Sequence, residues 1–323
     1  MRPPPAVLRR LLIGLMLLFG LPAWAGNTLF VDADTTRLDT WPALRMLADP
    51  TLTLSAAEIL SRTDRFQRPQ GTNSNLGINK DAVWLRVPVT VAPGTRPDWV
   101  LHIDYAPLNR VDLFVVQDGR ITAQHRMGNS LPFAERPLPS RAHAAPLTLL
   151  PGTQELLLRV ETRSSMVLPI TLLSTTAFIE AEANAQMLQG LLTGLALCML
   201  IYSLAQWVNL RDAVFLEYAV FVGGTALFLL SYFGLAQQYL WPNSPGWSMQ
   251  VAPLAVLVAT AAGSRFISRT LAVPEVSRPI GHALQALGWA AALAAVGSIA
   301  GLTDYRVTQA LATVFGPLCV LLA

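Results

Sequence analysis

The chain changes its hydrophobic rhythm partway along. Between residues 80 and 175 the rhythm is two. Val83, Leu85, Val87, Val89 and Val91 are apolar at alternate positions, with Trp84, Arg86 and Thr90 between them. Trp99, Leu101, Ile103 and Tyr105 repeat the pattern, with His102 and Asp104 facing the other way. Val111, Leu113 and Val115 come next, then Leu156, Leu158 and Val160, then Leu168 to Leu173. This is the period of half-buried strands. Asp118-Gly119 marks a tight hairpin before Ile121, and Pro151-Gly152 marks another turn. Short strands with turn signals and no helical period between them predict a β-sandwich. Residues 26–54 show no clear pattern. Ser55 to Glu58 reads as an N-capped helical turn. Arg62 to Asn79, polar and rich in Gly and Asn, reads as a long loop.

From Thr175 the period becomes helical. A stretch over 177–185 is expected to couple the sandwich, taken as 55–176, rigidly to the apolar half of the chain. There, apolar segments run over about 186–208, 214–233, 248–267 and 283–302, and a fifth begins near 305 and continues to 323. Each approaches the roughly 20 residues a helix needs to cross a bilayer. Because the fifth is still apolar at Ala323, the chain reads as a fragment of a longer protein.

Charge sets the orientation. Residues 186–323 hold five arginines and four acids, against 15 basic and 16 acidic residues over 26–185. The segments 209–213 and 268–282 carry arginines, with Arg265 at the neighbouring helix end. The loops 234–247 and 303–304 carry none. Positive charge stays on the cytoplasmic side, so the sandwich is placed outside. At the N-terminus, Arg2, Arg9 and Arg10 precede a short apolar run, and Ala23-Trp24-Ala25 supplies small residues for a peptidase. A signal peptide over 1–25, cleaved after Ala25, is expected, which puts the sandwich in the periplasm of a bacterial inner membrane.

The net charge of +3 does not point to nucleic acid, because no basic patch is interleaved with aromatics. Cys198 and Cys319 lie in apolar runs and cannot staple the sandwich.

Several short stretches together resemble a known family. In the sandwich they are Val83-Trp84-Leu85-Arg86, Asp104-Tyr105-Ala106-Pro107-Leu108, Val111-Asp112-Leu113-Phe114 and Pro169-Ile170. In the apolar half they are Gly190, Gly194 and Tyr202, then Arg211-Asp212 with Tyr218, Gly234-Leu235-Ala236 with Trp241-Pro242, and Ser264-Arg265-Phe266-Ile267. Over about residues 55 to 323 the chain resembles the bacterial seven-transmembrane receptors with diverse intracellular signalling modules, of the type with the second kind of extracellular domain. The resemblance implies a jelly-roll sensor similar to carbohydrate-binding modules, seven spans and a cytoplasmic output module such as a diguanylate cyclase or histidine kinase. A carbohydrate-binding module anchored in the membrane without signalling is the alternative.

No nucleophile elbow, phosphate loop or zinc motif is present, so neither catalysis, a cofactor nor a metal is expected of these residues. A sugar-binding sandwich would stack rings on aromatics and hold hydroxyls with Arg, Asp or Asn. Trp84, Arg86, Asn79, Asp104, Tyr105, Arg110 and Arg163 have those chemistries. The competing reading puts Trp84 in the core and pairs Arg86 with Asp104 or Asp112. Glu217, inside the second span, reads as a signalling charge pair or as a carboxylate tied to Arg211. Gly190 and Gly194 form a small-xxx-small pair that permits close helix packing or association of two copies. The expected partners are the bilayer, a carbohydrate or other small periplasmic ligand, and a second copy in a homodimer.

Overall fold

A computed structural model describes residues 28–69 and 74–322. The signal-peptide segment, with Ala23 and Ala25, lies outside the described residues.

Two sheets form the first half. The larger runs β1 (Leu29–Val31), β5 (Ala82–Val91), β10 (Gly152–Glu161), β7 (Arg110–Gln117), β8 (Arg120–Met127), with β3 (Arg45–Asp49) beside β1 on one edge of β5. The smaller runs β2 (Arg37–Asp39), β12 (Ile170–Ser174), β6 (Asp98–Ile103), β9 (His143–Thr148). The alternating residues read from the sequence meet between them. Val83, Leu85 and Val87 of β5, Leu113 of β7 and Leu158 of β10 pack with Leu101 and Ile103 of β6, Leu147 of β9 and Leu172 of β12. Asp118 and Gly119 adopt φ of 51° and 73° between β7 and β8, as a two-residue hairpin loop requires.

The outer face of the larger sheet is also buried. Trp84, Phe114, Val116 and Leu157 lie under Ile59 and Phe66. Ile59 belongs to the one-turn helix α1 (Ala56–Leu60), which Ser55 and Glu58 close with a capping box. The segment expected as a loop from Arg62 to Asn79 is partly ordered pairing. Gln67 bridges Met46, and β4 (Asn75–Ile78) pairs with β11 (Ser165–Val167). Its partners lie far along the chain, so no local period announced it.

The helices continue from the last strand without a break. Ser174 caps α2 (Thr175–Leu210), a single helix of 36 residues, about 54 Å long at 1.5 Å per residue. Next come α3 (Ala213–Tyr232), a short α4 (Leu235–Tyr239), α5 (Pro245–Thr270), a short α6 (Val273–Val276), α7 (Arg278–Ile299) and α8 (Tyr305–Leu322). Among the described residues five helices are long and apolar enough to cross a membrane. Helix α5 is the central one. Its Ala255 and Ala259 let α3 approach until a Cβ on Gly224 would sit 3.0 Å from the Ala259 nitrogen. Ser264 of α5 meets Gly288 of α7 in the same way, and Leu257 of α5 packs with Ala291 of α7 and Ala312 of α8. Small residues on one helix thus set the spacing of two neighbours.

Glu217 is not tied to Arg211. It lies 3.1 Å from Arg269 Nη1 and 3.9 Å from Arg265 Nε, so it joins α3 to α5, and Arg265 also covers the Trp289 ring. Arg211 takes the left-handed conformation, φ 57°, between α2 and α3.

Candidate functional site: the joint between sandwich and helices

The residues singled out for a sugar site do not converge. Trp84 is fully buried, 6.0 Å from the Phe114 ring centroid with Arg159 over its face. It takes the packing role, and no ring face is left for a ligand. Arg86 pairs with Glu155 of the neighbouring strand, rather than with Asp104 or Asp112. Register explains this: Glu155 stands opposite Pro88 on β5, diagonally across from Arg86. Arg110 binds Asp112 at 2.8 Å. Asn79 accepts the Asp81 N–H at 3.1 Å and lines an open cleft with Met46 and Leu76. The Arg163 N–H donates to Asn109 Oδ1 at 2.6 Å, leaving its side chain exposed. Asp104 and Tyr105 reach the feature that dominates the molecule, which is its joint.

The joint has two parts. In the first, α4 docks under the sandwich with Leu235, Ala236 and Gln237 buried. The Gln237 amide donates from Nε2 to the carbonyls of Asn129 (3.1 Å) and Leu131 (2.9 Å), and its Oε1 accepts from Arg136 Nη2 at 2.5 Å. Arg136 Nη1 donates to the Ser140 carbonyl at 2.9 Å and lies 3.2 Å from that of Ala142. The Phe133 N–H donates to the Pro242 carbonyl at 2.8 Å. Gly234, with φ 84°, lets the backbones touch: a Cβ there would stand 2.0 Å from the Arg141 carbonyl oxygen. Tyr105 packs edge-on against Tyr232, ring centroids 5.9 Å apart, and burial pushes its hydroxyl up to about 12. Burial likewise brings the Arg136 guanidinium down to about 10.

In the second part, the first turns of α2 cross the outer face of the smaller sheet. Phe178 meets the edge of His102, and one turn later Glu182 is buried among His102, Arg141 and Ser140. Ser140 Oγ donates to Glu182 Oε2 at 3.0 Å. Glu182 Oε1 stands 3.7 Å from both His102 Nε2 and Arg141 Nε. Arg141 Nη2 donates to Asp104 Oδ1 at 2.7 Å. His102 is lowered from its ordinary value, chiefly by burial, against the pull of Asp104 and Glu182. His143 is held down to about 3 by burial, with Arg136 adding to it, so both rings are neutral at pH 7.

Sequence reasoning missed most of these groups. Gly234-Leu235-Ala236 appeared only as a family-like stretch, and Arg136, Arg141 and Gln237 carry no local signal. Glu182 was the findable one: an acid on a helix about to enter the membrane is costly without a partner.

A strand-built head held by buried charge on helices of membrane length defines a multi-pass membrane protein with an extramembrane domain keyed to its first span. Residues 42–174 match the family model 7TMR-DISM extracellular 2, and residues 185–323 match 7TM diverse intracellular signalling. The chain belongs to the 7TMR-DISM family and comprises the extracellular sensor and transmembrane region of a signalling receptor. No curated protein matches it.

Proposed function

We propose that this chain is the input half of a bacterial signal-transduction protein of the cytoplasmic membrane. The sandwich senses a small ligand in the periplasm, and the joint passes the change to the helices and on to a cytoplasmic output module such as a diguanylate cyclase or histidine kinase. The observation that carries this reading is the buried polar joint itself. A domain that only needed a tether could hang from a flexible linker. Here α2 leaves the sheet as one helix, and α4 is bonded to the sandwich through Arg136, Gln237 and the Phe133 amide. Such contacts fix the head's orientation relative to two separate parts of the bundle. A ligand that prefers one orientation therefore shifts the helix arrangement by its difference in affinity.

The test is to weaken the joint and read the output. In the full gene product, in nanodiscs, Gln237→Leu should change basal or ligand-dependent output by about fivefold or more, the range of ordinary allosteric coupling. Unchanged output in a correctly folded variant would remove the joint from the signalling route. It would favour the anchored carbohydrate-binding module, for which no exposed ring platform is formed by Trp84.

A further inference from the structure

A roomy groove on the sandwich lies away from every residue chosen from the sequence. It has a volume of about 650 Å³ and lies between the outer face of the smaller sheet and the first turns of α2, within the size range of small-molecule sites. Its floor is apolar: Val100 of β6, Pro146 of β9 and Leu138. Phe178 and Ile179 of α2 form one wall, and Ile179 is 60% exposed there. Its rim is polar and carries Arg96 and Asp98.

These two charges are the informative pair. Both are exposed, and among the described residues no ion pair joins either to an opposite charge. Their backbone carbonyls are occupied instead, Arg96 accepting from Trp99 Nε1 and Asp98 from Thr175 Oγ1. Arg136 and Arg141, the buried arginines of the joint, are by contrast bonded. A cleft with an apolar floor and one unpaired charge of each sign on its rim complements a small zwitterion with an apolar body. A guanidinium suits a carboxylate, and a carboxylate suits an ammonium.

The groove also lies where a ligand would matter. Phe178 lines it and also packs on His102, and Glu182 comes one helical turn later on the same face. An occupant filling the gap would press on the helix at the residue that abuts the buried charge cluster.

We propose that this groove is the ligand site of the sensor, and that it takes a small zwitterion with an apolar body, the chemistry of an aliphatic or aromatic α-amino acid. Arg96 holds the carboxylate, Asp98 the ammonium, and Phe178, Ile179, Val100 and Pro146 the side chain. Occupancy of the groove stands on its own; its use as the signal input rests on the receptor reading above.

Calorimetry on the full chain in nanodiscs tests the site without reference to output. The probes are L-leucine, L-phenylalanine, 4-methylpentanoate (carboxylate only) and 3-methylbutylamine (ammonium only). Saturable binding of leucine or phenylalanine is expected, weaker for each single-charge analogue. Arg96→Gln should weaken leucine and 4-methylpentanoate about tenfold or more, as loss of a charged hydrogen bond does. Asp98→Asn should weaken leucine and leave 4-methylpentanoate unchanged, and Ile179→Asp should remove binding. All three side chains are exposed, so an unaltered thermal transition confirms that the variants fold. No saturable binding of either amino acid at millimolar concentration, or binding that ignores all three substitutions, overturns the proposal. If binding holds but output does not respond, the site stands and the signalling role falls.

Discussion

Arg136 and Gln237, 101 positions apart in sequence, meet end to end with the guanidinium donating to the amide oxygen at 2.5 Å. One belongs to a sandwich loop and the other to a helix between two spans. The bond is buried, and both groups reach further carbonyls: Arg136 Nη1 those of Ser140 and Ala142, Gln237 Nε2 those of Asn129 and Leu131. Neither partner can be removed without leaving the other's neighbours short.

Removing them one at a time and together should therefore show strong coupling. Gln237→Leu is expected to cost about 1–3 kcal/mol, the penalty of stranding buried polar groups. Arg136→Met also unbinds two loop carbonyls and should cost more. The double variant should cost less than the sum by about 0.5–3 kcal/mol. Thermal or denaturant unfolding of the four proteins in nanodiscs measures this, and simple additivity would show that the bond contributes nothing of its own.

Gly234 offers a geometric test of the same contact. Valine there combines a Cβ placed 2.0 Å from a backbone oxygen with a φ of 84° that side chains rarely adopt. Strain of this kind costs about 1–3 kcal/mol or forces the backbones apart. Hydrogen exchange should quicken at the Phe133 amide, which reaches across to Pro242, while β5 and β10 keep their protection. Uniform loss of protection would mean that the sandwich does not fold apart from its dock.

Acid should loosen the sandwich beside the joint. His143 is held down to about 3 when folded, against about 6.5 when unfolded. The unfolded chain thus binds the proton first. Stability is complete above about pH 6.5 and falls as pH drops toward 3, with His102 acting in the same direction. Between pH 7 and 5 His143 alone accounts for a loss of up to about 2 kcal/mol. The protection factors of β6 and β9, each referred to the intrinsic exchange rate at that pH, should fall over this range, and His143→Phe should flatten the slope. An unchanged slope in that variant would place the acid sensitivity elsewhere.

Trp84 separates packing from ligand binding. Trp84→Ala opens a void under Ile59 and Phe66 and should cost about 3–5 kcal/mol. Trp84→Phe should recover much of that and leave ligand binding as in the wild type. Loss of binding in a stable Trp84→Phe protein would return the tryptophan to a direct role.

Glu217 should matter for stability. Its carboxylate is only 13% exposed between Arg265 and Arg269, so Glu217→Gln is expected to cost about 1–3 kcal/mol, the penalty of removing one partner of a buried charged contact. A spin-label distance between α3 and α5 at that end is the sharper readout, and should broaden.

The parts of the fold that were legible are those whose signal is local. Val83 to Val91 announces its strand by alternation, Asp118-Gly119 its hairpin by positive φ, and the five apolar helices announce themselves by length. The strands of three residues, β1, β2 and β11, are too short for a period to show. β4 and β11 are visible only once they pair. The joint was illegible for a stronger reason. His102, Arg141 and Glu182 come from a strand, a loop and a helix, and nothing within ten residues of any of them encodes the other two. Trp84 and Arg86 looked like a site because aromatic and cationic side chains suit both sugars and sheet faces. What decided between these uses was a covering segment, Leu54 to Phe66, whose destination the alternation of β5 could not specify.

The unbroken course of α2 has a mechanical consequence. Its 36 residues carry no proline and no glycine outside 190 and 194, so the helix behaves as a stiff shaft rather than a cable. A tilt applied at Phe178 therefore arrives at Leu210 at nearly the same angle. Length alone then provides gain: at about 1.5 Å per residue, a few degrees at one end sweeps ångströms at the other.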